Sequence, residues 1–75
     1  MPKQLNLSGE DVINKLSKLG FSKVRQRGSR VVLKKHTDNG DDIGCVVPLH
    51  KEIAKGTLHS ILRQAKITWE EFIKI

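Results

Sequence analysis

The chain has 75 residues, which suffices for one small domain with a compact core. Fourteen lysine and arginine residues against eight acidic ones give a net charge of +6, so nucleic acid, an anionic membrane or an acidic protein is the expected partner. The single cysteine, Cys45, excludes an internal disulfide and a zinc site built on a cysteine pair. No stretch approaches the ~20 apolar residues of a membrane span. We therefore expect one cytoplasmic domain over residues 1–75, with no membrane partner.

The first element is an amphipathic helix that begins after Ser8. Asp11 stands three residues after Ser8, as in a capping box, and Gly20 marks the end of the helix. The apolar residues recur at helical spacing, and they are Val12, Ile13, Leu16 and Leu19.

Three strands follow. Gly28-Ser29 separates "FSKVRQR" from "RVVLKKH" and predicts a two-residue hairpin turn. Asn39-Gly40 predicts a second turn before "IGCVV", and Pro48 ends the pairing. The core residues of both hairpins share one face only if the second loop has an odd number of residues.

The chain ends with two helices. "TLHSILRQA" carries an apolar stripe, and Thr68 with Glu71 predicts a capping box for a short final helix, "WEEFIKI". The predicted class is α+β in the order α-β-β-β-α plus a short C-terminal helix. The helices then cover one face of a three-stranded antiparallel sheet and leave the other face open.

Strand alternation predicts a basic surface on that open face. The Gly28-Ser29 turn pairs Arg27 with Arg30 and Lys23 with Lys34, and it places Val24 on the helix side. The predicted open face carries Lys23, Arg25, Arg27, Arg30, Lys34 and His36. Like charges opposed across strands destabilise a sheet, and a phosphate backbone would relieve this repulsion. A solvated face that keeps the protein soluble is the alternative. Phe21, Trp69 and Phe72 are read as packing residues, so contact with the nucleic-acid backbone is favoured over base stacking.

The segments "VINKLSKLGF", "VRQRGS" and "VPLHKEIAKGTLHSILRQA" resemble the HicA toxin family, also called YcfA-like proteins, from Ser8 to Ala65. The resemblance implies a fold like the double-stranded-RNA-binding domain and a ribosome-independent mRNA interferase activity. It also implies a HicB-type antitoxin as partner, mRNA as substrate, and no metal or organic cofactor. The candidate RNA contacts are Lys23, Arg25, Arg27, Ser29 and Lys34.

One position departs from the family. The family motif reads Gly-Ser-His, and its histidine is the catalytic residue, but here Arg30 follows Ser29. A metal-free ribonuclease needs a group that titrates near pH 7, and arginine, which keeps its proton at any physiological pH, cannot exchange the proton. Arginine still binds phosphate and stabilises negative charge.

His50 is the possible substitute for the missing histidine, since it matches a histidine of the family's "P-x-H" segment. If strand geometry persists past Pro48, His50 lies beside Arg30; a structural role in the loop is equally open. His36 lies about six residues along the strand from Arg30, roughly 20 Å away, and is a poor substitute. His59 is interpreted as a helix-surface residue.

Three explanations of Arg30 stay open. The chain is an engineered inactive form, a natural relative that binds RNA without cutting it, or an enzyme in which His50 has taken over. The alternative function is a non-catalytic module that binds RNA or an acidic protein. The cluster of His36, Asp38, Asp41 and Asp42 lacks calcium-loop spacing and is interpreted as turn residues, so no metal site is predicted. Ser29 is interpreted as a turn residue rather than a nucleophile.

Overall fold

A computed structural model describes residues 7–74. Residues 1–6 and residue 75 of the predicted domain lie outside the described residues. The elements are α1 (Gly9–Lys18), β1 (Ser22–Arg27), β2 (Arg30–His36), β3 (Asp42–Pro48), α2 (Lys55–Ala65) and α3 (Trp69–Ile73). This order confirms the predicted α+β class, with a three-stranded antiparallel sheet in the order β1-β2-β3.

Helix α1 begins with the predicted capping box. The Ser8 backbone N–H donates to Asp11 Oδ2 at 3.0 Å, and the Asp11 N–H donates to Ser8 Oγ at 3.1 Å. These bonds satisfy two donors that the first turn of a helix leaves unpaired. Helix α3 begins in the same way with Thr68 and Glu71, so both predicted boxes are confirmed.

The two turns set the register of the sheet. Gly28 has φ +58 and precedes Ser29, as a tight hairpin with glycine in its first central position requires. The second connection has five residues, 37–41, with Gly40 at φ +89. This odd length is the predicted one, and it places Val31 opposite Val47 and Leu33 opposite Cys45 on the helix side.

The core lies between the helices and the inward side chains of β2 and β3. Its buried members are Val12, Leu16, Phe21, Val31, Leu33, Cys45, Val47, Ile53, Leu58, Ile61, Leu62, Ala65 and Phe72. Cys45 is 2% exposed, and burial raises the pKa of its thiol to about 11, so it acts as a small apolar side chain. Phe21 and Phe72 are buried as predicted, whereas Trp69 lies at the surface and stacks on His59 with ring centroids 5.5 Å apart.

Strand β1 contributes nothing to this core. All six of its residues are exposed, although β1 pairs with β2 along its length. Helices α1 and α2 pack mainly against β3. The first strand therefore extends beyond the helical layer, so that both of its faces reach solvent.

Candidate nucleic-acid interface

A β-bulge in β1 changes the predicted register. Arg27 pairs with Arg30 and Arg25 pairs with Val32, as expected, but the register shifts between Lys23 and Arg25. Val24 is the extra residue, and Lys23 consequently faces Leu33 while Ser22 faces Lys34. The predicted pairing of Lys23 with Lys34 is therefore wrong.

The bulge also reverses the predicted side of Lys23. Paired residues in an antiparallel sheet direct their side chains to the same face, so Lys23 shares the side of Leu33, which packs against the helices. Lys23 remains exposed because β1 extends beyond the helices. Val24, predicted to face the helices, is 54% exposed in the bulge.

Four cations remain on the open face of the sheet: Arg25 and Arg27 on β1, and Arg30 and Lys34 on β2. Arg27 and Arg30 are directly opposed, at the ~5 Å side-chain spacing of cross-strand neighbours. Within residues 7–74, none of the four forms an ion pair; on this face the His36 imidazole contacts the Asp42 carboxylate at the far end of β2. We call these four residues the basic face.

The third strand adds mainly uncharged residues to the open face. Gly44, Val46 and Pro48 lie opposite Lys34, Val32 and Arg30. Val46 is 37% exposed, and no phenylalanine, tyrosine or tryptophan of the three strands shares its face. The face is therefore cationic on β1 and β2 and uncharged along most of β3, which suits a phosphate backbone better than stacked bases.

The segment after β3 connects the hairpin turn to the start of α1. The Leu49 N–H donates to the Ser29 carbonyl at 2.6 Å, and the Gly9 N–H donates to the His50 carbonyl at 2.9 Å. His50 is exposed and borders a shallow depression with Ser8, Glu10 and Lys51. These bonds hold the backbone of His50 two residues beyond Pro48, the partner of Arg30.

Gly9 is a residue whose importance the sequence does not reveal. It is buried, and a Cβ atom there would collide with the Pro48 carbonyl oxygen. Any side chain would therefore displace the segment that carries His50. At the level of sequence, Gly9 is only the first residue of a helix.

The chemistry available beside the hairpin turn follows from these groups. Arg30 supplies a permanent positive charge next to the turn, and His50 carries an imidazole two residues beyond the end of β3. Between residues 7 and 74, no group of three histidine, cysteine or acidic residues is arranged to hold a metal ion. In that same range, no helix is long and apolar enough to cross a membrane.

A family model for the HicA toxin of bacterial toxin–antitoxin systems matches residues 9–67. The chain belongs to the HicA toxin family. The match runs from the first residue of α1 to the residue that follows Lys66, and it includes the sheet and the Pro48–His50 segment. No curated protein matches the chain. Membership confirms the resemblance read from the sequence and makes this protein a toxin that partners an antitoxin.

Proposed function

We propose that this HicA-family protein binds RNA through the basic face, and that it is a metal-independent endoribonuclease whose cleavage step is impaired by Arg30. The observation that supports RNA binding is the set of four cations on one face that form no ion pair with the described residues 7–74, with Arg27 directly opposite Arg30. Phosphate oxygens placed between two arginines offset their repulsion and accept hydrogen bonds from both guanidinium groups.

The proposed impairment follows from the proton transfers in RNA cleavage. A proton must leave the attacking hydroxyl and another must reach the leaving oxygen, and a histidine performs this exchange efficiently near neutral pH. Arg30 holds its proton and stabilises only the charge that develops on the phosphate. Losing general acid–base help lowers the rate by about 10²- to 10⁴-fold.

His50 is the proposed substitute for residual acid–base chemistry. Its backbone is held by the Gly9 N–H, and its neighbour Leu49 is bonded to Ser29, the residue before Arg30. A HicB-type antitoxin is the proposed regulator, and we place the protein in the cytoplasm, where mRNA is available.

Cleavage of a labelled single-stranded RNA in the presence of a chelator tests the proposal. The protein is compared with its Arg30→His variant and its His50→Ala variant. Strong cleavage only by Arg30→His identifies a disabled toxin with an intact RNA surface. Weak cleavage by the unaltered protein that disappears in His50→Ala assigns the residual chemistry to His50. Absence of cleavage by every form contradicts the proposed endoribonuclease activity.

The second candidate is a non-catalytic module that binds RNA or an acidic protein. Arg30 is the observation that favours it, because this residue binds phosphate without supplying a proton-transfer group. For an RNA-binding module, the affinity for RNA falls steeply as the salt concentration rises, and none of the three forms cuts RNA. A protein-binding module shows no salt-sensitive RNA affinity at all.

A further inference from the structure

We infer that the outer edge of β1 accepts a short, acidic, extended segment of a protein partner, which adds a fourth strand to the sheet. This inference goes beyond RNA binding, since it concerns the backbone edge of β1 rather than the basic face. It rests on three observations: the exposure of β1, the difference between the β3 edge, which a helix side chain covers, and the open β1 edge, and the charges along β1.

A helix side chain covers one edge of the sheet, and the other edge is open. At the β3 edge, the Val46 backbone N–H donates to Gln64 Oε1 of α2 at 3.2 Å, so a helix side chain occupies that edge. At the β1 edge, no described residue outside the hairpin pairs with the strand, and every side chain of β1 is exposed. An open strand edge is a template for pairing with another chain.

Gln26 presents the backbone groups of this edge. Arg27 and Arg30 flank a two-residue turn, which makes them a hydrogen-bonded pair. Hydrogen bonds alternate along an antiparallel ladder, so the N–H and C=O of Gln26 point away from β2. The bulge at Val24 interrupts the edge and limits the segment that can pair to a short one.

The charges of β1 select the chemistry of the partner. Arg25 and Arg27 flank Gln26, Lys23 lies beyond the bulge, and β1 contains no acidic residue. A second copy of β1 would place cations against cations, which destabilises the pairing. A strand with glutamate or aspartate at alternate positions satisfies the backbone of Gln26 and faces both arginines at cross-strand distance.

The first test measures hydrogen exchange of the Gln26 amide by NMR in the presence of an excess of a synthetic peptide, Thr-Glu-Val-Glu-Val-Glu-Thr. We expect exchange about tenfold slower when the edge is paired roughly nine-tenths of the time. A lysine version of the peptide and a version with proline in place of valine should give no protection. The proline version keeps the charge but cannot form a strand.

The second test uses a matched pair of variants. Gln26→Pro removes the outward N–H without removing a bond to β2, and Gln26→Ala keeps it; both lose the bond from Gln26 Nε2 to the Gly28 carbonyl. Gln26→Pro should lose at least about tenfold in peptide affinity relative to Gln26→Ala, since the pairing is blocked. The affinity of both for RNA should stay the same.

Three results would overturn the inference. The first is an unprotected Gln26 amide with the glutamate–valine peptide, and the second is equal protection by its proline version, which would mean that charge alone acts. The third is protection of Gln26 that rises with protein concentration in the absence of peptide, which would identify a second copy as the occupant. The exchange test uses the unaltered protein and so holds even if Gln26→Pro does not fold.

Discussion

Lys66 ends α2 in the left-handed conformation that glycine usually occupies. Its φ is +58, and among the described residues it is the non-glycine position with positive φ. The Lys66 N–H donates to the Arg63 carbonyl and the Ile67 N–H to the Leu62 carbonyl, which is the Schellman arrangement. The backbone pattern is thus satisfied, while the Cβ of Lys66 is strained.

We predict that Lys66→Gly raises the free energy of unfolding by about 0.5–1 kcal/mol, because glycine adopts this conformation without a Cβ clash. The midpoint of thermal unfolding should rise by several degrees, at roughly 4–8 °C per kcal/mol for a domain of this size. Lys66→Ala removes the charge but keeps the strain, so it should not stabilise. Equal gains from both variants would attribute the effect to charge.

Replacement by alanine should change the stability in opposite directions at Gly9 and Gly56. At Gly9 an added Cβ meets the Pro48 carbonyl oxygen and the Leu49 Cα, whereas at Gly56 in α2 it meets nothing within 4 Å. We predict that Gly9→Ala destabilises by about 1–3 kcal/mol through overpacking. Gly56→Ala should stabilise by up to about 1 kcal/mol through helix propensity. Urea unfolding of both variants checks the pair, and a neutral Gly9→Ala would contradict the close contact with Pro48.

At the scale of the element, the charge of Glu71 makes the stability of α3 depend on pH. Hydrogen bonds from the backbone N–H and the hydroxyl of Thr68 lower the pKa of Glu71 below the ordinary value of a glutamate, and Lys35 adds a smaller effect. A lowered pKa in the folded state means that the stabilisation is present above the unfolded pKa and is lost as pH falls through the folded one.

We therefore predict that Glu71→Gln unfolds at a lower temperature than the unaltered protein at pH 7, and that the difference disappears as the solution is acidified below the folded pKa. Trp69, the single tryptophan, lies in α3 beside the capping box and reports the transition by fluorescence. Glu70→Gln is the control, since Glu70 lies in the same turn but outside the box. A pH-independent difference between Glu71→Gln and the unaltered protein would contradict the charge-assisted cap.

The elements were predictable from sequence where a local signal specifies them. Capping pairs, turn glycines and helical periodicity give the helices and the hairpins, and strand alternation gives the odd length of the 37–41 loop. The bulge at Val24 has no such signal, because an extra residue in a strand is fixed by packing against its neighbour and not by its own side chain. One unpredicted residue was enough to move Lys23 to the other face of the sheet.

At the scale of the whole molecule, the excess of positive charge has two components. Arg25, Arg27, Arg30 and Lys34 are concentrated on the basic face, while Lys18 and Arg63 are exposed on the helices. The sequence indicates the total, +6, and the alternation of strands indicates most of the concentration. The role of Gly9 and the extension of β1 beyond the helices depend on contacts between distant segments, which no local pattern encodes.

Two double variants distinguish the effect of the basic face on RNA binding from the effect of the net charge. Arg25→Gln with Arg27→Gln and Lys18→Gln with Arg63→Gln each lower the net charge from +6 to +4. If the basic face binds RNA, the first double variant should bind RNA more weakly. The plot of log affinity against log salt should also become less steep, by about 1.4, or 0.7 for each lost phosphate contact with a single strand. The second pair should change the slope much less, because its charges lie outside the basic face. Titration of a labelled RNA at several salt concentrations measures both, and equal slopes for the two variants would mean that net charge attracts RNA without a dedicated face.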